Sequence, residues 1–267
     1  MKIVDFRILV PLSMIEYQKG MRYVYMRKTK EEIESGQEID FLETSVKEKD
    51  GVQYEYSHKI IHIGKKIPKI IRWALPKNIG EIHEENYRGH PRSETRLSIP
   101  GMDRKFKCDI LSFCQEYTPH EQNAFSLTPK EMSHLHVCYL DLFNNEPVHQ
   151  NHDPRRMKSK YYNFNQFFLS SRKEKSDSPP WWSLSYRGPL IICHKLVKVE
   201  CHVDGISKTL EKHVCQDICR NLYLDNHQCL ISWIDEWINL TDSKLMELER
   251  NSIKLTLQSQ RRVNSHQ

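Results

Sequence analysis

The stretch from Gln53 to Ile63, QYEYSHKIIHI, decides how this sequence is read. Its aromatic and β-branched residues predict a β-strand, in which successive side chains point to opposite faces. One face would carry Tyr54, Tyr56, His58, Ile60 and His62, and the other Glu55, Ser57, Lys59, Ile61 and Ile63. A strand with water on one side separates apolar from charged residues, and neither face does so. The lysine in line with two isoleucines therefore needs a partner other than water.

Composition limits the class of protein. The chain has 267 residues, of which 38% are hydrophobic, so it can bury a sizeable core and is not expected to be disordered. A net charge of +5 is compatible with an anionic membrane surface or with RNA and is specific to neither. The apolar N-terminal run carries Asp5 and Arg7, unlike a signal peptide, and no run of about 18 apolar residues occurs. These features predict a soluble protein of the cytosol.

Cysteines and histidines are numerous but do not form a recognised metal motif. The eight cysteines include no Cys-x-x-Cys, which predicts reduced thiols. His134 and His136, or His149 and His152, resemble half of a metal site. Because no second ligand pair stands at zinc-like spacing, the sequence predicts no metal ion.

The N-terminal third is predicted to contain two strands around a short helix. The first strand, KIVDFRILV, ends at Pro11. Ser13 and Glu16 have the spacing of a capping box, so a short helix is expected to begin there and to stop at Gly20. The stretch RYVYMRK then reads as a second strand.

The middle of the chain predicts antiparallel strands. EIDFLETSV and QYEYSHKIIHI flank the turn Lys49-Asp50-Gly51, which indicates a hairpin. Further strands are expected at ETRLSI and KFKCDILSFCQEY, joined at Pro100-Gly101, and at PLIICHKLVKVECHV, with a helix opening at Thr128. A basic, aromatic stretch at about 149–187 is interpreted as a surface loop excursion. Helices dominate after Gly205, the last of them from about 242, so the class is α+β.

Glu249 lies in that last helix beside apolar positions such as Leu245, Met246 and Ile253. One interpretation is a carboxylate at the edge of a buried face that reaches solvent. The other is that Glu249 and Lys59 share an apolar cavity with a polar end, because buried charges require a partner. Such a cavity suits a lipid.

The sequence resembles the phosphatidylinositol transfer proteins over residues 4–258. The stretches that carry the resemblance are ILVPLSMIEYQKG, YSHKIIHI, DPRRMKSK, HKLVKV and WIDEWINLTDSKLMELE, in that order along the chain. The resemblance identifies a divergent member of this family. It implies one domain over 1–267, with a curved, largely antiparallel β-sheet clasped by long α-helices around a lipid cavity, of START-like type.

The resemblance also implies which residues bind the headgroup. Ser57, Lys59 and Glu249 match inositol-binding positions of the family, with serine in place of the usual threonine. Thr95, Ser112 and Lys195 match positions around the lipid phosphate, with Ser112 again replacing a threonine.

Several positions depart from the family pattern. Arg88 aligns with an inositol-site asparagine and Met21 with a glutamine near the phosphate. The family's membrane-docking Trp-Trp pair aligns with Val203-Asp204, so Trp181-Trp182 is a candidate substitute anchor or, equally, a buried structural element. Ser159, within basic flanks, matches a phosphorylation position of the family.

The predicted function is transfer of one phosphatidylinositol or phosphatidylcholine molecule between membranes by a monomer that touches organelle membranes transiently. The alternative is a non-exchanging phospholipid sensor or scaffold, in which Arg88 favours an acidic lipid such as phosphatidic acid. An enzyme is not expected, because the sequence has no Gly-x-Ser-x-Gly and no His-Glu-x-x-His. No cofactor is predicted, and the mixed-charge loop is a weak basis for binding nucleic acid.

Overall fold

The computed structural model describes residues 1–35, 39–62, 80–118, 123–167, 182 and 186–264, without the side chains of 253 and 255–264. The strands are β1 Lys2–Val10, β2 Ile39–Lys49, β3 Val52–His62, β4 Glu81–Arg88, β5 Arg92–Ser98, β6 Phe106–Glu116, β7 Leu135–Leu140 and β8 Ile191–Cys201. The α-helices are α1 Met14–Glu34, α2 Pro129–Met132, α3 Ser207–His213, α4 Arg220–Ser232, α5 Ile234–Trp237 and α6 Asp242–Asn264. The stretch KKIPKIIRWALP and Trp181 lie outside the described residues.

The eight strands form one curved sheet in the order β2-β3-β4-β5-β6-β8-β1-β7. The pairs are antiparallel except β1 with β7, which is parallel, so the sheet is mixed and the class is α+β. The hairpin between β2 and β3 is confirmed. Asp50 and Gly51 both adopt positive φ angles, of 53° and 74°, as a tight turn between twisted strands requires.

The prediction for the N-terminal third was wrong about Gly20 and about the stretch RYVYMRK. The capping box forms as expected, since Ser13 and Glu16 satisfy each other's backbone N–H groups. The helix then continues through Gly20 to Glu34 instead of stopping. A Cβ atom on Gly20 would lie 2.3 Å from Leu230 Cδ1 and 2.8 Å from the Trp237 ring. The glycine is therefore a close-packing position between helices. The alternating aromatics that follow it, Tyr23 and Tyr25, lie on different faces of the helix, Tyr23 partly buried and Tyr25 exposed.

The main hydrophobic core lies between the sheet and the helices α1 and α4. Phe6 of β1 meets Tyr223 of α4 edge to face, with ring centroids 5.5 Å apart. A smaller cluster on the other side of the sheet joins Ile3, Leu196 and Leu127. The neighbouring strands β1 and β8 are thus buried on both faces over most of their length.

The chain after β7 wraps back over the helices. Phe164 and Phe167 lie in a short 3₁₀ helix and are buried against Phe143. The last helix, α6, begins after Thr241, whose hydroxyl accepts a hydrogen bond from the Lys244 backbone N–H at 3.3 Å. Leu245 is fully buried, and α6 packs against α1. This packing brings the last helix to the side of the sheet that α1 covers.

Candidate functional site

One face of the sheet changes from polar to apolar along five neighbouring strands. Strand pairing and side-chain alternation place β3, β4, β5, β6 and β8 residues in four successive cross-strand rows. The rows are Glu55, Arg88, Ser93, Ser112 and Lys195; then Ser57, Asn86, Thr95, Ile110 and Val197; then Lys59, Glu84, Leu97, Cys108 and Val199; and last Ile61, Ile82, Phe106 and Cys201, with Ile99 directly after the end of β5. This is the face that α1 and α4 cover at its β6 and β8 side. We call it the graded face.

The opposite face of β3, β4 and β5 is mostly polar, whereas at β8 it carries the buried Leu196. His58 Nε2 lies 3.2 Å from His83 Nδ1 across β3 and β4. The Tyr56 hydroxyl donates to Glu85 Oε1 at 3.1 Å, and its ring packs on Tyr87. The mixed pattern of QYEYSHKIIHI thus belongs to a strand whose outer face is polar and whose inner face is graded.

Two of the residues predicted to bind inositol, Ser57 and Lys59, lie together on the graded face. Ser57 and Lys59 are two residues apart on β3. The ammonium of Lys59 is 3.4 Å from Glu84 Oε1 on β4, and both side chains are about one quarter exposed. Lys59 is therefore neither in bulk solvent nor unpaired.

Asn86 is a candidate site residue that the sequence did not indicate. It stands directly between Ser57 on β3 and Thr95 on β5. Its Oδ1 atom is shielded from solvent and has no hydrogen-bond partner among the described residues. A buried acceptor without a partner costs about 1–3 kcal/mol, so this position is suited to a ligand that donates a hydrogen bond. The sequence shows that Asn86 lies two residues before Arg88. It does not show the strand register that places Asn86 beside Ser57.

The predicted phosphate ligands occupy adjacent strands. Lys195 pairs directly with Ser112, and its Nζ donates to Ser112 Oγ at 3.1 Å. Thr95 lies on the next strand, diagonal to Ser112. Lys195 is only 7% exposed. Burial lowers the pKa of Lys195, but Tyr25, Cys114 and Cys193 outweigh burial and raise it, so the ammonium stays charged.

A buried polar network lies beneath Lys195. The Tyr17 hydroxyl of α1 is 3.2 Å from His227 Nε2 of α4, and Cys114 Sγ is 3.7 Å from the same hydroxyl. Burial, and then the charge of Lys195, lower the pKa of His227 to about 3, so its imidazole is uncharged at neutral pH. The Lys195 ammonium is thus the positive charge of this buried region.

Glu249 is held by Arg22 of α1. The guanidinium Nε is 2.9 Å from Glu249 Oε1 and its NH2 nitrogen is 2.7 Å from Oε2, a two-pronged ion pair. This hydrogen bonding raises the pKa of Arg22, with burial opposing it, and Glu55 on the graded face adds to the increase. The pair joins α1 to the last helix, α6. Arg22 was not among the predicted site residues.

The departures from the family pattern have clear positions. Arg88 is half exposed and forms an ion pair with Glu55. Met21 is buried in the core. Val203 is partly buried against the core, whereas Asp204 is exposed in the connection from β8 to α3.

The remaining candidates lie outside the graded face. Trp182 is half-buried against the core and stacks on Tyr139, with ring centroids 5.7 Å apart, whereas Trp181 lies outside the described residues. Ser159 donates to Asp235 and accepts from the backbone N–H groups of Tyr161 and Tyr162 at 3.0 and 3.1 Å. Among the described residues, one group with metal-ligand chemistry occurs, at His152, Asp225 and Cys229.

The protein thus has an α+β fold, and its sheet carries the graded face beside a buried lysine. These features define a class of protein that can bind an amphiphile, a molecule with a polar end and an apolar end. Comparison with known proteins agrees. The sequence profile of the family described as phosphatidylinositol transfer protein matches residues 1–254, and the chain belongs to that family.

Relatives of known name support the assignment. The chain is 29% identical to phosphatidylinositol transfer protein 4 of Dictyostelium discoideum, over 96% of this chain and 76% of that protein. It is 25% identical to the human phosphatidylinositol transfer protein beta isoform, over 94% and 91% respectively. It is 29% identical to the mouse membrane-associated phosphatidylinositol transfer protein 2, over 94% of this chain but 18% of that longer protein. Among the described residues, no helix has the length and apolar character to cross a membrane.

Proposed function

We propose that this protein encloses one molecule of phosphatidylinositol or phosphatidylcholine and exchanges it between membranes. The observation that carries the proposal is the graded face. Its polar rows would meet the headgroup and its row of Ile61, Ile82, Ile99 and Phe106 would meet the acyl chains. Exposing two acyl chains to water costs tens of kcal/mol, at about 0.8 kcal/mol per methylene. A protein wall in place of water allows the lipid to leave a bilayer.

The polar rows offer the chemistry that an inositol ring requires. Inositol hydroxyls donate and accept hydrogen bonds, and Lys59 supplies donors while Glu84 and Asn86 supply acceptors. Choline has no hydroxyl, so loss of these contacts is expected to affect phosphatidylinositol far more than phosphatidylcholine. Lys195, with Ser112 and Thr95, would bind the phosphate that the two lipids share. Glu249 would join the inositol site from the Arg22 side.

The transfer breaks no covalent bond and uses no cofactor. We propose a monomer that acts from the cytosol, touches organelle membranes transiently and has no nucleic-acid partner. The START-like cavity is part of the same proposal.

A non-exchanging lipid sensor is the second candidate. The exposed Asp204 favours it, because a carboxylate opposes insertion into an anionic bilayer at the position where the family resemblance places a tryptophan pair. Arg88 is the residue that suggests phosphatidic acid as the ligand. Because Arg88 forms an ion pair with Glu55, binding of phosphatidic acid by Arg88 would require this ion pair to break.

The test is a vesicle transfer assay with labelled phosphatidylinositol and phosphatidylcholine, combined with mass spectrometry of lipids that co-purify with the protein. Lys59→Ala is expected to lower phosphatidylinositol transfer about tenfold or more, since hydrogen bonds to charged groups contribute about 1.5–3 kcal/mol, and to leave phosphatidylcholine transfer intact. His58→Ala is the matched control, because it is the next residue on the opposite face. Bound lipid without transfer supports the sensor, and protein free of lipid contradicts both candidates.

A further inference from the structure

Three side chains with metal-ligand chemistry converge away from the graded face. His152 ends the 3₁₀ turn Gln150–His152, and Asp225 and Cys229 lie on α4. His152 Nδ1 is 2.9 Å from Asp225 Oδ1 and 3.1 Å from Cys229 Sγ, and Sγ is 3.9 Å from Oδ1. Spacing of four residues puts Asp225 and Cys229 on one side of the helix, next to each other.

The size of this triangle fits a tetrahedral zinc ion. Zinc bonds of about 2.0–2.3 Å to nitrogen, oxygen and sulfur place the ligand atoms about 3.3–3.6 Å apart. The three observed separations, of 2.9, 3.1 and 3.9 Å, fall on both sides of that value. A thiolate and an imidazole together select zinc over magnesium or calcium, which prefer oxygen ligands.

The two oxygen atoms of the Asp225 carboxylate face different partners. Its Oδ1 atom faces His152 and Cys229, whereas its Oδ2 atom accepts from the ammonium of Lys28 on α1. A ligating carboxylate whose second oxygen is held by another residue is the usual arrangement around a bound metal. Lys28 also offsets one of the two negative charges that a thiolate and a carboxylate would bring to this buried place.

A route to the site exists on the His152 side. Cys229 is fully buried, but His152 borders an open cavity of about 480 Å³. The cavity is lined by Arg27, Glu31, His149, Asn151, His152 and Trp233. The His152 ring is packed edge to face between His149 and Trp233, with centroid distances of 5.7 and 5.1 Å. A fourth, water ligand would face this cavity, as in zinc sites with three protein ligands.

We propose that His152, Asp225 and Cys229 bind one zinc ion. The ion fastens the start of the 149–187 excursion to α4. This site revises the expectation of no metal. Sequence spacing singled out His152, beside His149, but gave no sign of Asp225 and Cys229, which lie 73 and 77 residues further along the chain.

The test uses the full chain, stripped of metal and kept reduced by a non-thiol phosphine. Zinc is titrated against a chromophoric chelator, and Co²⁺ is substituted for spectroscopy. We expect one zinc per chain, a sulfur-to-cobalt charge-transfer band and a higher melting temperature with zinc. Cys229→Ala is expected to abolish the band and to weaken zinc binding at least a hundredfold. Cys215→Ala, at another fully buried cysteine, is the matched control and is expected to change neither.

His152→Ala provides a second variant, at a position less buried than Cys229, and is expected to lose zinc binding to a similar extent. The proposal is overturned if wild-type protein binds no zinc against the chelator. Equal loss of the cobalt band in the Cys229 and Cys215 variants overturns it as well. Either result would leave the group as a hydrogen-bonded network around the Lys28–Asp225 ion pair.

Discussion

Lys195 is a buried ammonium whose one hydrogen-bond acceptor in the described part of the chain is the neutral Ser112 hydroxyl. No carboxylate among the described residues pairs with it, and a buried charge that lacks such a partner costs several kcal/mol unless a ligand or another group completes its interactions. Removal of a lysine that binds phosphate should therefore lower lipid transfer, whereas removal of a purely structural lysine should lower stability.

We predict that Lys195→Met lowers transfer of both lipids at least tenfold and leaves the melting temperature unchanged or raised. The variant loses a phosphate contact and also loses a desolvation cost. Lys198→Met is the control, because Lys198 lies on the same strand, on the other face, and pairs with Glu131. Normal transfer by the Lys195 variant would exclude this lysine from the lipid site.

Gly20 is the second residue whose role the packing explains. Alanine is favoured over glycine inside a helix by about 1 kcal/mol, but the added Cβ would collide with Leu230 and the buried Trp237. Overpacking costs about 1–3 kcal/mol. We predict that Gly20→Ala lowers the free energy of unfolding by up to about 2 kcal/mol, the overpacking cost less the helix-propensity gain, measured by urea denaturation. Gly80→Ala, which would meet no atom within 4 Å, is expected to stay within about 0.5 kcal/mol.

At the scale of the element, the first turn of α1 links the helix to the excursion. The Glu16 carboxylate accepts from the Ser13 backbone N–H at 2.8 Å and from the Tyr162 hydroxyl at 2.7 Å. Burial alone would raise the pKa of Glu16, but the hydrogen bonds from Ser13 and Tyr162 outweigh burial and lower it. A lowered pKa in the folded state stabilises the protein above the unfolded pKa of about 4.3. That stability is lost as the pH falls through the folded pKa.

We predict that Glu16→Gln lowers the free energy of unfolding by about 1 kcal/mol at pH 7, as removal of a capping contact does. The difference from wild type should shrink as the pH falls below about 4, because the wild-type carboxyl then becomes protonated. Glu131→Gln is a comparison variant. It breaks an equivalent capping box on the exposed single-turn helix α2 and also weakens the contact with Lys198, which together with Thr128 lowers the pKa of Glu131 to about 2, so its effect should persist to a lower pH. A constant difference across this pH range would contradict the assignment.

At the scale of the whole molecule, the graded face predicts the direction of the bound lipid. Ile61 belongs to its apolar row, and Ile60 is the preceding residue on the opposite face. A charge placed among acyl chains costs about 2.5–3.5 kcal/mol. We predict that Ile61→Lys reduces lipid loading about a hundredfold, measured by mass spectrometry of co-purified lipid. Ile60→Lys should load normally, and equal loading by the two variants would refute the orientation.

The sequence by itself determined the local structure and the class. Lys49-Asp50-Gly51 specified the hairpin, Ser13 and Glu16 the start of α1, and Thr128 the cap of α2, because turns and caps depend on neighbouring residues. The order of motifs placed the chain in its family. Gly20 misled the prediction because its reason is a contact with Leu230 and Trp237, more than 200 residues away.

Only the tertiary structure decided how strands with weak individual patterns combine. Pairing of β3 to β4 follows a long connection, so no local rule fixes its register, and a shift by one residue would reverse every face. That register selects Asn86 as the partner of Ser57 and lines up the polar and apolar rows. Helix packing likewise brings Arg22 to Glu249 and the excursion to α4. These features depend on contacts between distant segments, and such contacts exist only once the whole chain has folded.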